Sequence, residues 1–74
     1  MTIIKLGSKV SWKGSWGHNA PVIAEVTGIE LCEEKRMKYG TPVNEVNADI
    51  KDYCVFDLNT GNWCYGYQIE PIEI

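Results

Sequence analysis

The 74-residue chain has few of the groups that usually carry chemistry. It contains one histidine, His18, and three cysteines, Cys32, Cys54 and Cys64. A hydrolase needs a nucleophile, a base and a group that orients the base. Nothing in the spacing gathers His18 with Cys54 or Cys64 and with Asp49, Asp52 or Asp57. No catalytic residue is assigned, and the chain is read as non-enzymatic. The same histidine and cysteines would suffice for one tetrahedral zinc, but 13, 21 and 9 residues separate them and no CxxC pair exists. Gly14 and Gly17 precede neither a helix nor a Lys-Ser/Thr pair, so they form no phosphate loop. Asp49-Ile50-Lys51-Asp52 lacks the oxygen density of a calcium loop. Neither metal nor cofactor is expected.

Long apolar runs are also missing. None approaches the ~20 residues that span a bilayer, which excludes a membrane helix. The opening segment Met1–Leu6 is too short for a signal-peptide core. An odd number of cysteines does not suit a disulfide-stapled secreted scaffold, whereas reduced thiols suit the cytosol. A cytoplasmic location is the expectation, with the cysteines acting as small buried hydrophobes.

Charge is modest, at -3 overall, and unevenly spread. Residues 1–24 hold Lys5, Lys9 and Lys13 and no acid, whereas residues 49–74 hold five acids and only Lys51. A negative field opposes sequence-independent nucleic-acid binding, which depends on neutralising phosphates. At this length one small core forms, so residues 1–74 read as a single domain with its core at about 7–73.

Strand-forming residues dominate what is present. Val, Ile and Thr number 18 and the aromatics add 8, together 26 of 74 residues. Strong helix formers cluster only at Glu33–Lys38, where Tyr39-Gly40-Thr41-Pro42 stops them. The reading is all-β. Lys9–Lys13 alternates as a first strand, and Gly14–Pro21 has loop composition around Trp16. A long second strand runs from Val22 to Cys32. Its apolar positions shift by one residue after Thr27-Gly28, the mark of a bulge that lets one strand serve two sheets. A third strand is expected near Val43–Ala48, and 49–52 as a turn returning Ile50 to the core.

Tyr53–Leu58 and Asn62–Tyr65 form a hairpin turned at Gly61. Two registers fit it: Phe56 opposite Cys64, or Phe56 opposite Tyr65 with Leu58 opposite Trp63. The second is favoured because it gathers the large apolar groups on one face. A 3₁₀ turn at Tyr65–Gln68 leads to a tail, Ile69–Ile74, that closes on the first strand. There Lys9 or Lys13 would face Glu70 or Glu73. Trp12 and Phe56 are the aromatic candidates for the core, and Trp63 is undecided.

Gly7-Ser8-Lys9-Val10-Ser11-Trp12 and Leu58-Asn59-Thr60-Gly61-Asn62-Trp63, together with the order and spacing of the elements, resemble the SH3-like small barrel, in particular its KOW-like and Tudor-like modules. The segment Trp63–Ile69 also resembles small bacterial or phage proteins. The resemblance implies an SH3-like barrel of five to six short antiparallel strands with a bent, long second strand. Peptide-binding members use an acidic loop beside aromatic rings, but Gly14–Asn19 contains no acid. KOW-like members meet RNA, which the acidity opposes. Tudor-like members cage methylated side chains with aromatic rings.

The rings exceed what so small a core can hide. Trp16, Tyr65 and Tyr67, with Gln68 and Asn19 supplying directional hydrogen bonds, are the candidate recognition patch of a protein-interaction module. An unidentified protein with a basic surface, or a second copy of the chain, is the expected partner. Two alternatives stand beside it. One is a weak nucleic-acid stripe of Lys5, Lys9 and Lys13 with Trp16 for stacking. The other is a structural domain whose rings only cap an open end.

Overall fold

The ten residues Val22–Leu31 form one continuous strand with a fault in the middle. The computed structural model describes residues 2–14, 20–35, 37 and 39–72. Among them the strands are β1 (Ile3–Lys5), β2 (Lys9–Trp12), β3 (Val22–Leu31), β4 (Thr41–Pro42), β5 (Glu45–Asn47), β6 (Cys54–Leu58), β7 (Trp63–Tyr65) and β8 (Ile69–Pro71). Two 3₁₀ segments, Ala48–Tyr53 and Gly66–Gln68, complete the order. All strand pairs are antiparallel.

On the first half of β3, Val22 to Glu25 pair with Trp12 to Lys9 of β2. On the second half, Gly28 to Leu31 pair with Asp57 to Cys54 of β6. Between them Val26 faces Leu58 and Gly28 faces Asp57, so two steps along β3 match one along β6. Such a bulge bends and twists a strand. It also moves the buried series from Ala24 and Val26 to Ile29, as the offset in the sequence requires. The larger sheet runs β7-β6-β3-β2-β8, with β4 on the distal half of β3. The all-β, antiparallel expectation stands, as do the bend and the return of the tail onto β2. The sheet is not closed into a barrel.

A second, two-stranded sheet of β1 and β5 contributes Ile4 and Val46 to the same core as Val10, Ala24, Val26, Ile29, Phe56, Leu58, Cys64 and Ile69. The sequence reading assigned no strand to β1, because three residues are too few to show a period. Ile4 is nonetheless fully buried. The expected third strand, Val43–Ala48, is shorter, since only Glu45–Asn47 form β5, and Thr41–Pro42 before it pair separately with β3 as β4. Val43, between them, is half-buried against the core and donates its N–H to Ile29 O at 3.0 Å.

Other expectations are corrected. Ile50 does not return to the core, because the 3₁₀ segment that carries it presents it to solvent at 41% exposure. Lys9 does not face Glu70: its ammonium pairs with Glu25 at 2.8 Å, its neighbour across β2 and β3. Glu73 lies outside the described residues. The hairpin adopts the register that was not favoured, with Phe56 opposite Cys64, Val55 opposite Tyr65 and Asp57 opposite Trp63. Phe56, Leu58 and Cys64 then share the buried face, where the small thiol leaves room for the ring. Gly61 takes the left-handed turn conformation (φ +88°). Phe56 is fully buried, whereas Trp12 is only half-buried against the core. Its Nε1 is buried without a hydrogen-bond partner.

The two 3₁₀ segments clasp each other. Lys51 donates from Nζ to Gly66 O at 3.0 Å, and a Cβ at Gly66 would overlap the backbone carbonyl of Lys51. Backbone cannot yield as a side chain can. Gly66→Ala is therefore expected to cost about 1–3 kcal/mol, the range of overpacked sites. An unchanged urea midpoint would contradict this close approach.

Candidate functional site

The hairpin register decides which residues face away from the core. With Cys54, Phe56 and Leu58 inward, Val55 and Asp57 point to the opposite face of β6. Their cross-strand neighbours join them there: Glu30 and Gly28 on β3, and Tyr65 and Trp63 on β7. Two rings at i and i+2 of one strand are neighbours by construction. Trp63 and Tyr65 meet edge to face, with centroids 5.3 Å apart and planes at 88°. Tyr67, on the following 3₁₀ segment, stacks on Tyr65 at 5.9 Å and 12°. The result is a continuous aromatic row, Trp63–Tyr65–Tyr67, whose outer rings are 42% and 48% exposed. Both arrangements lie within the favoured geometries for aromatic pairs.

The row is pinned at its centre. β7 is the last strand of its sheet, and the Tyr65 N–H is donated to Gln68 Oε1 at 2.8 Å. This bond fixes the 3₁₀ segment that carries Tyr67 and blunts the open edge against strand addition there. Of the sequence-derived patch, Tyr65, Tyr67 and Gln68 are thus gathered at one place. Trp16 and Asn19 lie outside the described residues, as does His18. Trp63 was left undecided by the sequence, although its i, i+2 spacing with Tyr65 was the signal that joins them.

Beside the row lies a recess of about 120 Å³ lined by Glu30, Tyr39, Val55, Asp57 and Trp63. Val55, 6% exposed yet outside the central core, is apolar. The Glu30 carboxylate accepts the Gly40 N–H through Oε2 at 3.2 Å. Asp57 owes its place to Gly28, since a Cβ there would come within 2.6 Å of Asp57 Oδ2. Sequence reasoning did not join Glu30, Tyr39 and Asp57, because Glu30 and Asp57 meet only through the pairing of β3 with β6, and Tyr39 reaches them beside Gly40, whose N–H is bonded to Glu30.

The lysines of the candidate nucleic-acid stripe are exposed, and Glu25 engages Lys9. Lys5 lies on a different sheet, opposite Glu45. The three cysteines are free and buried. Desolvation pushes the Cys54 thiol up to about 11, with Cys32 adding to the effect. Burial, aided by Asp57, pushes Cys64 up to about 12. Burial followed by Glu30 raises Cys32 as well. A nucleophile needs the thiolate, which these surroundings disfavour. Among the described residues no three His, Cys, Asp or Glu side chains converge as a metal site, and no helix is long and apolar enough to cross a membrane.

Comparison with protein-family models, curated proteins and solved structures gives no match.

The raised thiols set a pH dependence of stability. An unfolded chain releases these protons near pH 8.5, whereas the folded chain holds them to about 11 and 12. Their contribution is complete below about pH 8.5 and is lost as the pH rises through those values. Cys64→Ala is expected to flatten the decline of the urea midpoint between about pH 9 and 11. Equal slopes in variant and wild type would contradict this assignment.

Proposed function

We propose that the chain is a non-enzymatic protein-interaction module of SH3-like architecture, with the row Trp63–Tyr65–Tyr67 as its recognition face. The architectural part is supported by the order of elements: an antiparallel β2–β3 pair, a bent long strand, a tight β6–β7 hairpin, a 3₁₀ segment and a short last strand returning to β2. The functional part rests chiefly on the exposed aromatic row. Large rings held in a fixed arrangement offer contact area at little conformational cost, which is why aromatics are enriched among binding anchors. A barrel cap would not require two of the three rings to stand at over 40% exposure.

The partner in this reading is a protein with a basic surface. Glu30 and Asp57 lie beside Trp63 at one end of the row, and residues 49–74 carry a net -4. Complementary charge would speed and orient docking. A second copy of the chain is a weaker match, because the pairing of Lys9 with Glu25 already engages part of its basic half. The same pairing counts against the nucleic-acid reading.

Selection of random peptides displayed on phage tests the proposal. Enriched peptides should carry Arg or Lys beside apolar residues, and Trp63→Ala or Tyr67→Ala should weaken them at least about fivefold, as removal of a binding anchor does. Both variants alter exposed rings, so circular dichroism should show an unchanged fold. Absence of enrichment, or equal binding to both variants, would contradict the proposal. Salt-sensitive binding of a dT12 or U12 oligonucleotide, without peptide binding, would replace it with the nucleic-acid reading.

A further inference from the structure

The recognition row has a glycine in its middle. In Tyr65-Gly66-Tyr67 the stacked pair of rings straddles Gly66, the first residue of the second 3₁₀ segment. Glycine restrains the chain less than any other residue, so the local sequence does not by itself hold one ring over the other. The glycine is nevertheless required, because a Cβ there would overlap the Lys51 carbonyl. Restraint comes instead from hydrogen bonds to the backbone around it. The Tyr65 N–H is donated to Gln68 Oε1 at 2.8 Å, and the Ile69 N–H closes the segment on Gly66 O. Lys51 Nζ donates to that same oxygen at 3.0 Å. The first two bonds lie within residues 65–69, whereas Lys51 belongs to the other 3₁₀ segment, Ala48–Tyr53.

We propose that Lys51 is the positioning residue of the recognition row: its ammonium, held on Gly66 O, sets the placement of Tyr67 against Tyr65. The inference deepens the interaction-module reading and rests on it. The Lys51 side chain is only 17% exposed, low for a residue that normally keeps its head in water. A hydrogen bond from a charged donor is about twice as strong as a neutral one, and partial burial strengthens it. Asp52 Oδ1 lies 3.4 Å from the ammonium and balances its charge. The backbone of Lys51 is fixed as well, since its carbonyl accepts the Cys54 N–H at the start of β6 and abuts Gly66. Side chain and backbone of one residue thus meet Gly66 from two directions. β6 in turn pairs with β7, which carries Trp63 and Tyr65. Lys51 therefore ties the segment bearing Tyr67 to the strand beside the other two rings. A face ordered in advance loses less freedom on binding.

Lys51→Met, of similar length but without the donor, tests the assignment in two readouts. The wild type should show Overhauser cross-peaks between the ring protons of Tyr65 and Tyr67. The variant should lose them while keeping the α-proton contact of Val55 with Tyr65, which reports an intact hairpin. Its affinity for peptides selected on the wild type should fall at least about threefold. Charge alone predicts the opposite sign. Lys51 is the only base among residues 49–74, so its loss would draw a basic peptide more strongly. Lys51→Gln, one bond shorter, takes the place of the methionine variant if that chain does not fold. Ring cross-peaks that survive the substitution would overturn the inference, as would their absence from the wild type. An affinity equal to or above that of the wild type would overturn it too.

The two readings fail in different ways. Selected peptides that need Tyr67 yet bind the Lys51 variant normally would reject the positioning role and leave the interaction module standing. Ring cross-peaks that vanish with Lys51, in a protein that selects no peptide, would reject the module and leave the placement of the rings to Lys51.

Discussion

The bulge in β3 is the constraint from which the rest of the structure follows. One extra residue at Thr27 lets a single strand pair with β2 before the fault and β6 after it. The point of transfer is tied down from both sides. Val26 exchanges backbone hydrogen bonds with the Gly7-Ser8 turn at 2.8 and 2.9 Å, while Glu25 O accepts the Asn59 N–H at 2.9 Å. The same step returns apolar residues to the core on each side of the fault, so bending costs little burial. It also sets Gly28 opposite Asp57, where the absent side chain makes room for the carboxylate.

Two faces of β6 then acquire different roles. The inner face, with Phe56 and Leu58, joins Cys64, Ile69 and the short β1–β5 sheet in one core. Burial there keeps the thiols protonated and chemically quiet. The outer face collects Glu30, Val55 and Asp57 with the rings of Trp63 and Tyr65. Apolar area, carboxylates and aromatic rings are combined on the side of the sheet that the core does not need. That division, and not any catalytic constellation, is the basis for reading the chain as a binding module.

Much of the fold is legible in the sequence where a local pattern controls it. The alternation around Val10, the one-residue offset at Gly28, the Gly61 turn and the 3₁₀ segment before the last strand all follow from neighbours in the chain. What escapes depends on partners distant in sequence. β1 is too short to announce itself, and Ile4 is buried only because β5 comes to it. The hairpin misleads because its turn admits two registers. Matching aromatics to large apolar residues favoured one, but the core accepts the small Cys64 opposite Phe56 and sends Trp63 and Tyr65 outward. Tyr65, Tyr67 and Gln68 were recognisable as a cluster since they are adjacent in sequence. Glu30 and Asp57 were not, because a bulged pairing alone joins them.

The register of β6 with β7 carries the central claim, since a shift of one residue would turn the aromatic row inward. Close α-proton contacts mark the non-hydrogen-bonded pairs of an antiparallel ladder. The Leu58 N–H donates to Asn62 O, which makes Val55–Tyr65 and Asp57–Trp63 such pairs. A nuclear Overhauser spectrum should therefore contain α-proton cross-peaks between Val55 and Tyr65 and between Asp57 and Trp63. Cross-peaks linking Phe56 with Tyr65, or Asp57 with Cys64, would contradict the account and remove the recognition face with it.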